Sequence, residues 1–165
     1  MVQQHDEAER RWFFGGGMHL WRVSAEDTNG AFWVMEDLVT KGKTTPLHSH
    51  ASAMEVVYVI DGELQLWIDG KESRLGAGGV AVVPAGVPHA LLVTSDTCRL
   101  LAMGTSSSTE QFFKAASEPG AVSAADRGPA WGGEEPARVV DFERVKAAAI
   151  ATGGMTMLGP PPFKR

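Results

Sequence analysis

Gly42-Lys-Thr-Thr-Pro-Leu-His48-Ser-His50-Ala-Ser-Ala-Met-Glu55-Val-Val-Tyr-Val-Ile-Asp-Gly62 is the stretch on which the fold turns. Side chains alternate along a strand, so His48 and His50 point to one face, and Glu55 joins them from the next strand after a turn. A second glycine-punctuated segment, Gly78-Gly-Val-Ala-Val-Val-Pro84-Ala-Gly86-Val-Pro-His89, ends on another histidine. If the strands close into a barrel, His89 projects into the same interior. Taken singly, each of the four reads as an ordinary surface or core residue. Taken together, three imidazoles and a carboxylate turned into an otherwise apolar barrel carry a heavy desolvation cost if nothing pairs with them. One divalent metal per chain removes that cost, and the mixed nitrogen and oxygen set suits Fe, Ni, Co, Mn, Cu or Zn without choosing among them. A metal preferring five or six ligands keeps open positions, where chemistry can occur. The alternative is a metal-free remnant of such a site.

Outward from these segments, short apolar runs at 18–23, 31–39, 55–60, 63–68, 80–83, 89–93 and 99–103 are separated by turn residues, with no sustained helical period. This is the pattern of an all-β sandwich or barrel. Asp61-Gly62 and Asp69-Gly70 lie between apolar runs and suit type I′ hairpin turns, which predicts a three-strand meander over 56–75. Pro84-Ala-Gly86 is a further tight turn that sets His89 just inside the next strand.

Beyond Met103 the character changes. Ser107-Ser-Thr-Glu110 has capping-box spacing ahead of a short helix. Asp141 is placed to cap a second helix over 142–152 that stops at Gly153-Gly154. Between them runs a loop rich in Gly, Pro and Ala, and the tail Gly159-Pro-Pro-Pro is expected to be extended or packed on the surface. The expected organisation is one domain over 1–165, with a barrel core at about 18–104 and a helical cover at about 107–165.

The composition is that of an ordinary folded domain: 44% hydrophobic and 21% charged residues in 165. A formal charge of −5 with scattered basic residues tells against nucleic acid. No run of apolar residues is long enough to span a membrane. One cysteine, Cys98, allows no internal disulfide, and the opening residues lack a signal-peptide core, so a reducing, cytoplasmic setting is expected. Cys98 lies in a strand-like run and reads as a buried, inert thiol. His5 and His19 fall outside both segments and read as solvent-facing or structural. Trp12, Phe13 and Phe14 read as an anchor for the amino-terminal segment, on the barrel or on a second subunit. A barrel edge and exposed apolar strands permit a homodimer, which no sequence feature demands.

The two segments resemble the paired cupin motifs, Gly-x5-His-x-His-x4-Glu-x6-Gly and Gly-x5-Pro-x-Gly-x2-His-x3-Asn. The first matches in full. The second departs only at its last position, where Val93 replaces an asparagine that is not a metal ligand. Softer likenesses at Thr28-Asn-Gly-Ala-Phe, Glu110-Gln-Phe-Phe-Lys-Ala-Ala-Ser-Glu-Pro-Gly and Leu158-Gly-Pro-Pro-Pro extend the resemblance over roughly 15–162, toward bacterial single-domain cupins similar to quercetin 2,3-dioxygenase. The resemblance implies a double-stranded β-helix (jelly-roll) barrel and a metal held by His48, His50, Glu55 and His89. It further implies a metal-dependent dioxygenase that opens a flavonol or related enolic aromatic compound with O2 and releases carbon monoxide. In such relatives the enol loses its proton and binds the metal, so Glu55 would serve as ligand and as proton acceptor.

An aromatic substrate calls for an apolar pocket. Val57, Val59 and Leu91 share parity with Glu55 and His89 and are expected to line it, with Trp33 and Met35 from the preceding strand; ordinary core packing is the competing role for each. The rival function is a non-oxidative isomerase, lyase or polyketide cyclase using the metal as a Lewis acid. A small-ligand or metal sensor ranks behind both, since no helix-turn-helix segment is appended.

Overall fold

A computed structural model describes Val2, Gln4 and residues 8–120 and 140–164. His5 and most of the expected Gly-, Pro- and Ala-rich loop, 121–139, lie outside the described residues. The chain forms strands β1 (Glu9–Phe13), β2 (Met18–Val23), β3 (Trp33–Thr40), β4 (Leu47–Ser49), β5 (Glu55–Asp61), β6 (Glu63–Ile68), β7 (Lys71–Gly76), β8 (Val80–Val83), β9 (His89–Val93) and β10 (Thr97–Gly104). Helix α1 (Ser107–Ala115), β11 (Ser117–Pro119), α2 (Phe142–Thr152) and β12 (Thr156–Gly159) follow. Two antiparallel sheets face each other, ordered β11-β1-β2-β3-β10-β5-β8 and β12-β4-β9-β6-β7. This is the expected all-β jelly roll.

The two Asp-Gly pairs behave differently. Ile68 pairs with Lys71 across β6 and β7, leaving Asp69 and Gly70 as a two-residue loop in which both φ values are positive, 45° and 85°. That is a type I′ hairpin. At Asp61-Gly62 only Gly62 has positive φ, 85°. There β5 pairs with β10 and β8, whereas β6 pairs with β9 and β7. The expected meander over 56–75 is therefore corrected to a corner between sheets followed by one hairpin. The corner is tight because Gly62 passes against β10: a Cβ there would sit 2.3 Å from the Thr97 carbonyl oxygen.

The period-2 pattern places Trp33, Met35 and Val39 of β3, Val57 and Val59 of β5, and Cys98, Leu100 and Ala102 of β10 in one buried core between the sheets. Val93 belongs to this core and is 1% exposed, so its side chain has only apolar neighbours to satisfy. Cys98 is fully buried. Burial, with Asp37 and Asp61 nearby, pushes its thiol up to about 11, far from a reactive thiolate.

A second apolar cluster joins Phe13 and Phe14 to Phe112 of α1, to Ala116 just after it and to Val145, Ala148 and Ala149 of α2, with Trp12 packed alongside. The amino-terminal aromatics thus anchor on the helical cover. Asp141 caps α2 by accepting from the Arg144 amide, and Gly153 ends it with φ 64°. The α1 cap falls one residue earlier than the capping-box spacing suggests: Ser106 accepts from the Ser108 amide. Glu110 is freed from that role, and its carboxylate instead accepts from the distant Ala25 amide at 3.0 Å. The tail begins as a strand, with Thr156 and Met157 of β12 paired to Ser49 and His48 of β4. Among the described residues no helix is long and apolar enough to cross a membrane.

Candidate metal centre

His48 of β4 and His89 of β9 stand opposite each other in one sheet. His50 follows β4, and Glu55 opens β5 in the facing sheet, so the four side chains meet between the sheets. One ligand atom from each of His48, His50, Glu55 and His89 lies within 4.8 Å of the others, an arrangement that could hold a metal ion. All three histidines are buried, and the Glu55 side chain is 12% exposed.

Hydrogen bonding decides which ring nitrogen faces inward. Nδ1 of His48 lies 2.9 Å from the Pro46 carbonyl, Nδ1 of His50 2.7 Å from that of Gly154, and Nδ1 of His89 3.0 Å from that of Val87. A carbonyl only accepts, so each neutral ring carries its proton on Nδ1 and offers an Nε2 lone pair. Metal-bound histidines are held in this way. Two of those lone pairs face a carboxylate: Glu55 Oε2 lies 3.3 Å from His50 Nε2 and 3.2 Å from His89 Nε2. Lone pair against carboxylate at this distance is repulsive unless a proton or a metal ion lies between them, and the buried His50 Nε2 has no well-formed hydrogen bond. The donor set and its orientation fit a divalent transition metal.

The protonation tendencies point the same way. Burial, reinforced by His89 and His50, brings His48 down to about 3, so this ring is a neutral donor at any working pH. Burial works against a charged His50 too, but the adjacent Glu55 carboxylate outweighs it and raises the pKa. Burial alone would raise Glu55; the neighbouring His50 and His89 overcome it and hold the carboxyl well below the usual range. Glu55 is ionised, and a proton on His50 is what an incoming metal displaces.

The cluster opens on a cavity of about 60 Å³. Met35, Val57 and Leu91 line it together with His48, Glu55 and His89. Trp33 and Val59 do not, and the structure places both elsewhere. Trp33 is fully buried in the core, its indole donating to the Ser106 carbonyl at 3.0 Å. Val59 is four residues along β5 from Glu55, about 13 Å at strand rise, and lies beyond the cavity in the closed core. The sequence reading missed Phe13, His19, Asp37 and Lys43, which also line the cavity. One signal was present: Asp37 interrupts the apolar inward row Trp33, Met35, Val39.

Residues 35–104 match the family model described as Cupin domain. Quercetin 2,3-dioxygenase of Bacillus subtilis (strain 168) is 33% identical over 91 residues, 55% of this chain and 27% of that protein. The chain thus spans about a quarter of that relative's length. Among solved structures, a predicted oxalate decarboxylase from Thermotoga maritima superposes with a TM-score of 0.59 at 22% identity, over 64% of this chain and 99% of the other. The polyketide cyclase RemF from Streptomyces resistomycificus gives 0.53 at 23% identity, over 63% and 78%. At these identities the structural likenesses speak to the fold. Two facing antiparallel sheets, the three-histidine and glutamate cluster between them and the match of residues 35–104 to the Cupin domain agree, and the barrel has the cupin jelly-roll fold.

Proposed function

We propose that this chain is a metal-dependent dioxygenase of the quercetin 2,3-dioxygenase type, opening a flavonol or a related enolic aromatic compound with O2. The observation that carries this assignment is the orientation of three Nε2 lone pairs and an ionised Glu55 toward one point at the edge of an apolar cavity. The likeness to the Bacillus subtilis enzyme supplies the substrate class. A divalent metal held by His48, His50, Glu55 and His89 would acidify an enol bound beside it and, if redox-active, engage dioxygen. Glu55 is positioned to accept the enol proton on a carboxylate oxygen. Met35, Val57 and Leu91 exclude water and offer an aromatic ring an apolar surface.

The test is dioxygen uptake with quercetin by protein stripped of metal and reloaded separately with Fe, Ni, Co, Mn, Cu or Zn, with Glu55→Ala as control. Uptake that depends on the metal and disappears in the control is the expected result. Metal binding without uptake on quercetin or other enols would sink the assignment and favour Lewis-acid isomerase, lyase or cyclase chemistry.

Size sharpens the expectation. Pockets for drug-sized ligands run to roughly 300–1,000 Å³, well above the present cavity, so a three-ring flavonol has to displace part of the wall. Phe142, the first residue of α2, lines the cavity yet is 46% exposed, which places it at the mouth. Phe142→Ala should lower KM for quercetin by roughly tenfold with little change in kcat, because it relieves a steric cost paid on entry. An unchanged KM would move the entrance away from α2.

A further inference from the structure

One wall of the cavity is polar without belonging to the metal cluster. The β2–β3 ladder sets His19 directly opposite Asp37. His19 is 1% exposed and Asp37 8%, yet their closest approach, Nε2 to Oδ1, is 3.6 Å. Among the described residues neither His19 Nδ1 nor Asp37 Oδ1 has a hydrogen-bond partner. Buried polar atoms in a native fold ordinarily have one, from protein, water or ligand. Lys43, just after β3, completes the group: its ammonium donates to the Gly15 carbonyl at 2.7 Å and to that of Gly16. An ammonium has three N–H groups, so those two carbonyls leave one over. Phe13 braces both side chains, stacked on His19 at 4.8 Å between centroids and lying 4.6 Å beneath the Lys43 nitrogen. His19, Asp37 and Lys43 line the same cavity as His48, Glu55 and His89.

Charge narrows what such a group would hold. Burial drives His19 well below its usual pKa, so the ring is neutral. Burial raises Asp37 to about 6 and lowers Lys43 to about 8, which leaves two opposite charges that nearly cancel near neutral pH. A carboxylate or phosphate on the ligand would meet the Asp37 charge at close range; a neutral hydroxyl, which both donates and accepts, satisfies each member.

We propose that His19, Asp37 and Lys43 form a second recognition pole of the cavity that takes a neutral hydroxyl of the substrate, Asp37 accepting its hydrogen and Lys43 and the His19 ring N–H donating to its oxygen, while the enol end lies at the four-residue cluster. This deepens the proposed function in that it requires the cavity to be the substrate site, but not the chemistry to be oxidative.

The test uses the full chain loaded with Zn under argon, where binding is read without turnover. Two probe pairs are titrated: 3-hydroxyflavone against quercetin, and tropolone against a ring-hydroxylated tropolone. Each pair shares one enol-ketone unit that can bind the metal, and the remaining hydroxyls differ. The hydroxylated member of at least one pair should bind roughly tenfold or more tighter. That ratio should fall to about twofold in Asp37→Leu, whereas Asp37→Asn, which keeps an acceptor oxygen, should retain most of it. Because Asp37→Leu strips Lys43 of its counter-charge and endangers folding, His19→Phe is measured in parallel. It preserves the ring stacked on Phe13 and should also lose the preference. A ratio unchanged in both variants overturns the proposal, and so does the lack of any hydroxyl-dependent affinity in either pair, whether or not the probes bind. Hydroxyl-dependent tropolone binding with no flavonol binding would instead sink the flavonol assignment and leave the pole standing.

Discussion

His48→Ala is expected to weaken binding of a divalent transition metal by more than about a hundredfold while leaving the far-ultraviolet circular dichroism of the barrel unchanged. Losing a residue that merely orients a metal ligand costs roughly 10- to 100-fold in affinity. His48 is itself one of the four donors, so its loss should exceed that range. The strand carrying it stays paired to β9 and β12 through the backbone, which is why the fold should survive. The natural site should also bind metal more weakly as pH falls. His50 has a raised pKa through its contact with Glu55, so the competing proton is held at low pH and released as pH rises. Affinity should therefore climb as pH rises through and above the usual histidine range, with protons released on binding. Competition against a chromophoric chelator measures both effects. Equal affinity in His48→Ala and the natural chain would show that the metal binds elsewhere.

Gly62→Ala is expected to cost about 2–5 kcal/mol of folding stability. A Cβ in the left-handed region costs about 1–2 kcal/mol, and forcing extra atoms into a packed site typically adds about 1–3. Here the added carbon would lie 2.3 Å from the Thr97 carbonyl oxygen, 2.7 Å from Ser95 Oγ and 2.8 Å from Cys98 Cα. None of these is a flexible chain end free to swing aside: Ser95 Oγ accepts from the Glu63 amide at 2.8 Å and donates to the Thr97 carbonyl at 2.6 Å. Against a total of about 5–15 kcal/mol for an ordinary domain, the loss is large. Gly70→Ala is the internal comparison, because Gly70 has the same φ of 85° with nothing within 4 Å of the added carbon. It should lose only the conformational part. Urea unfolding of both variants separates the two terms, and equal losses would mean that the close approach to β10 is not what fixes Gly62.

That contrast also marks where the sequence stopped being legible. Asp61-Gly62 and Asp69-Gly70 are identical dipeptides; the second is followed by the polar Lys71-Glu-Ser-Arg rather than an apolar run, but neither flank says which is a corner and which a hairpin. The difference lies in β10, some thirty residues on, which pairs with β5 and leaves β6 to β9. The metal cluster was legible because its spacing is local within two segments and only their meeting depends on closure of the barrel. Short edge strands were not: β11 pairs Pro119 with Arg11 and β12 pairs Thr156 with Ser49, contacts that no local pattern encodes. The polar pole was half legible. Asp37 breaks an apolar alternation, but His19, its cross-strand partner, carries no mark until the β2–β3 register is known.

The carbonyl that fixes the His50 tautomer belongs to Gly154, 104 residues later in the chain. The four residues of the cluster lie between positions 48 and 89, yet the group that orients one of them lies 65 residues beyond the last of them. A chain cut short before Gly154 would therefore keep all four residues of the cluster but lose the alignment of His50 and the β12 pairing that braces His48. Alignment of the cluster thus depends on docking of the segment around Gly154 and of β12 against the barrel, and not on the two histidine-bearing segments alone.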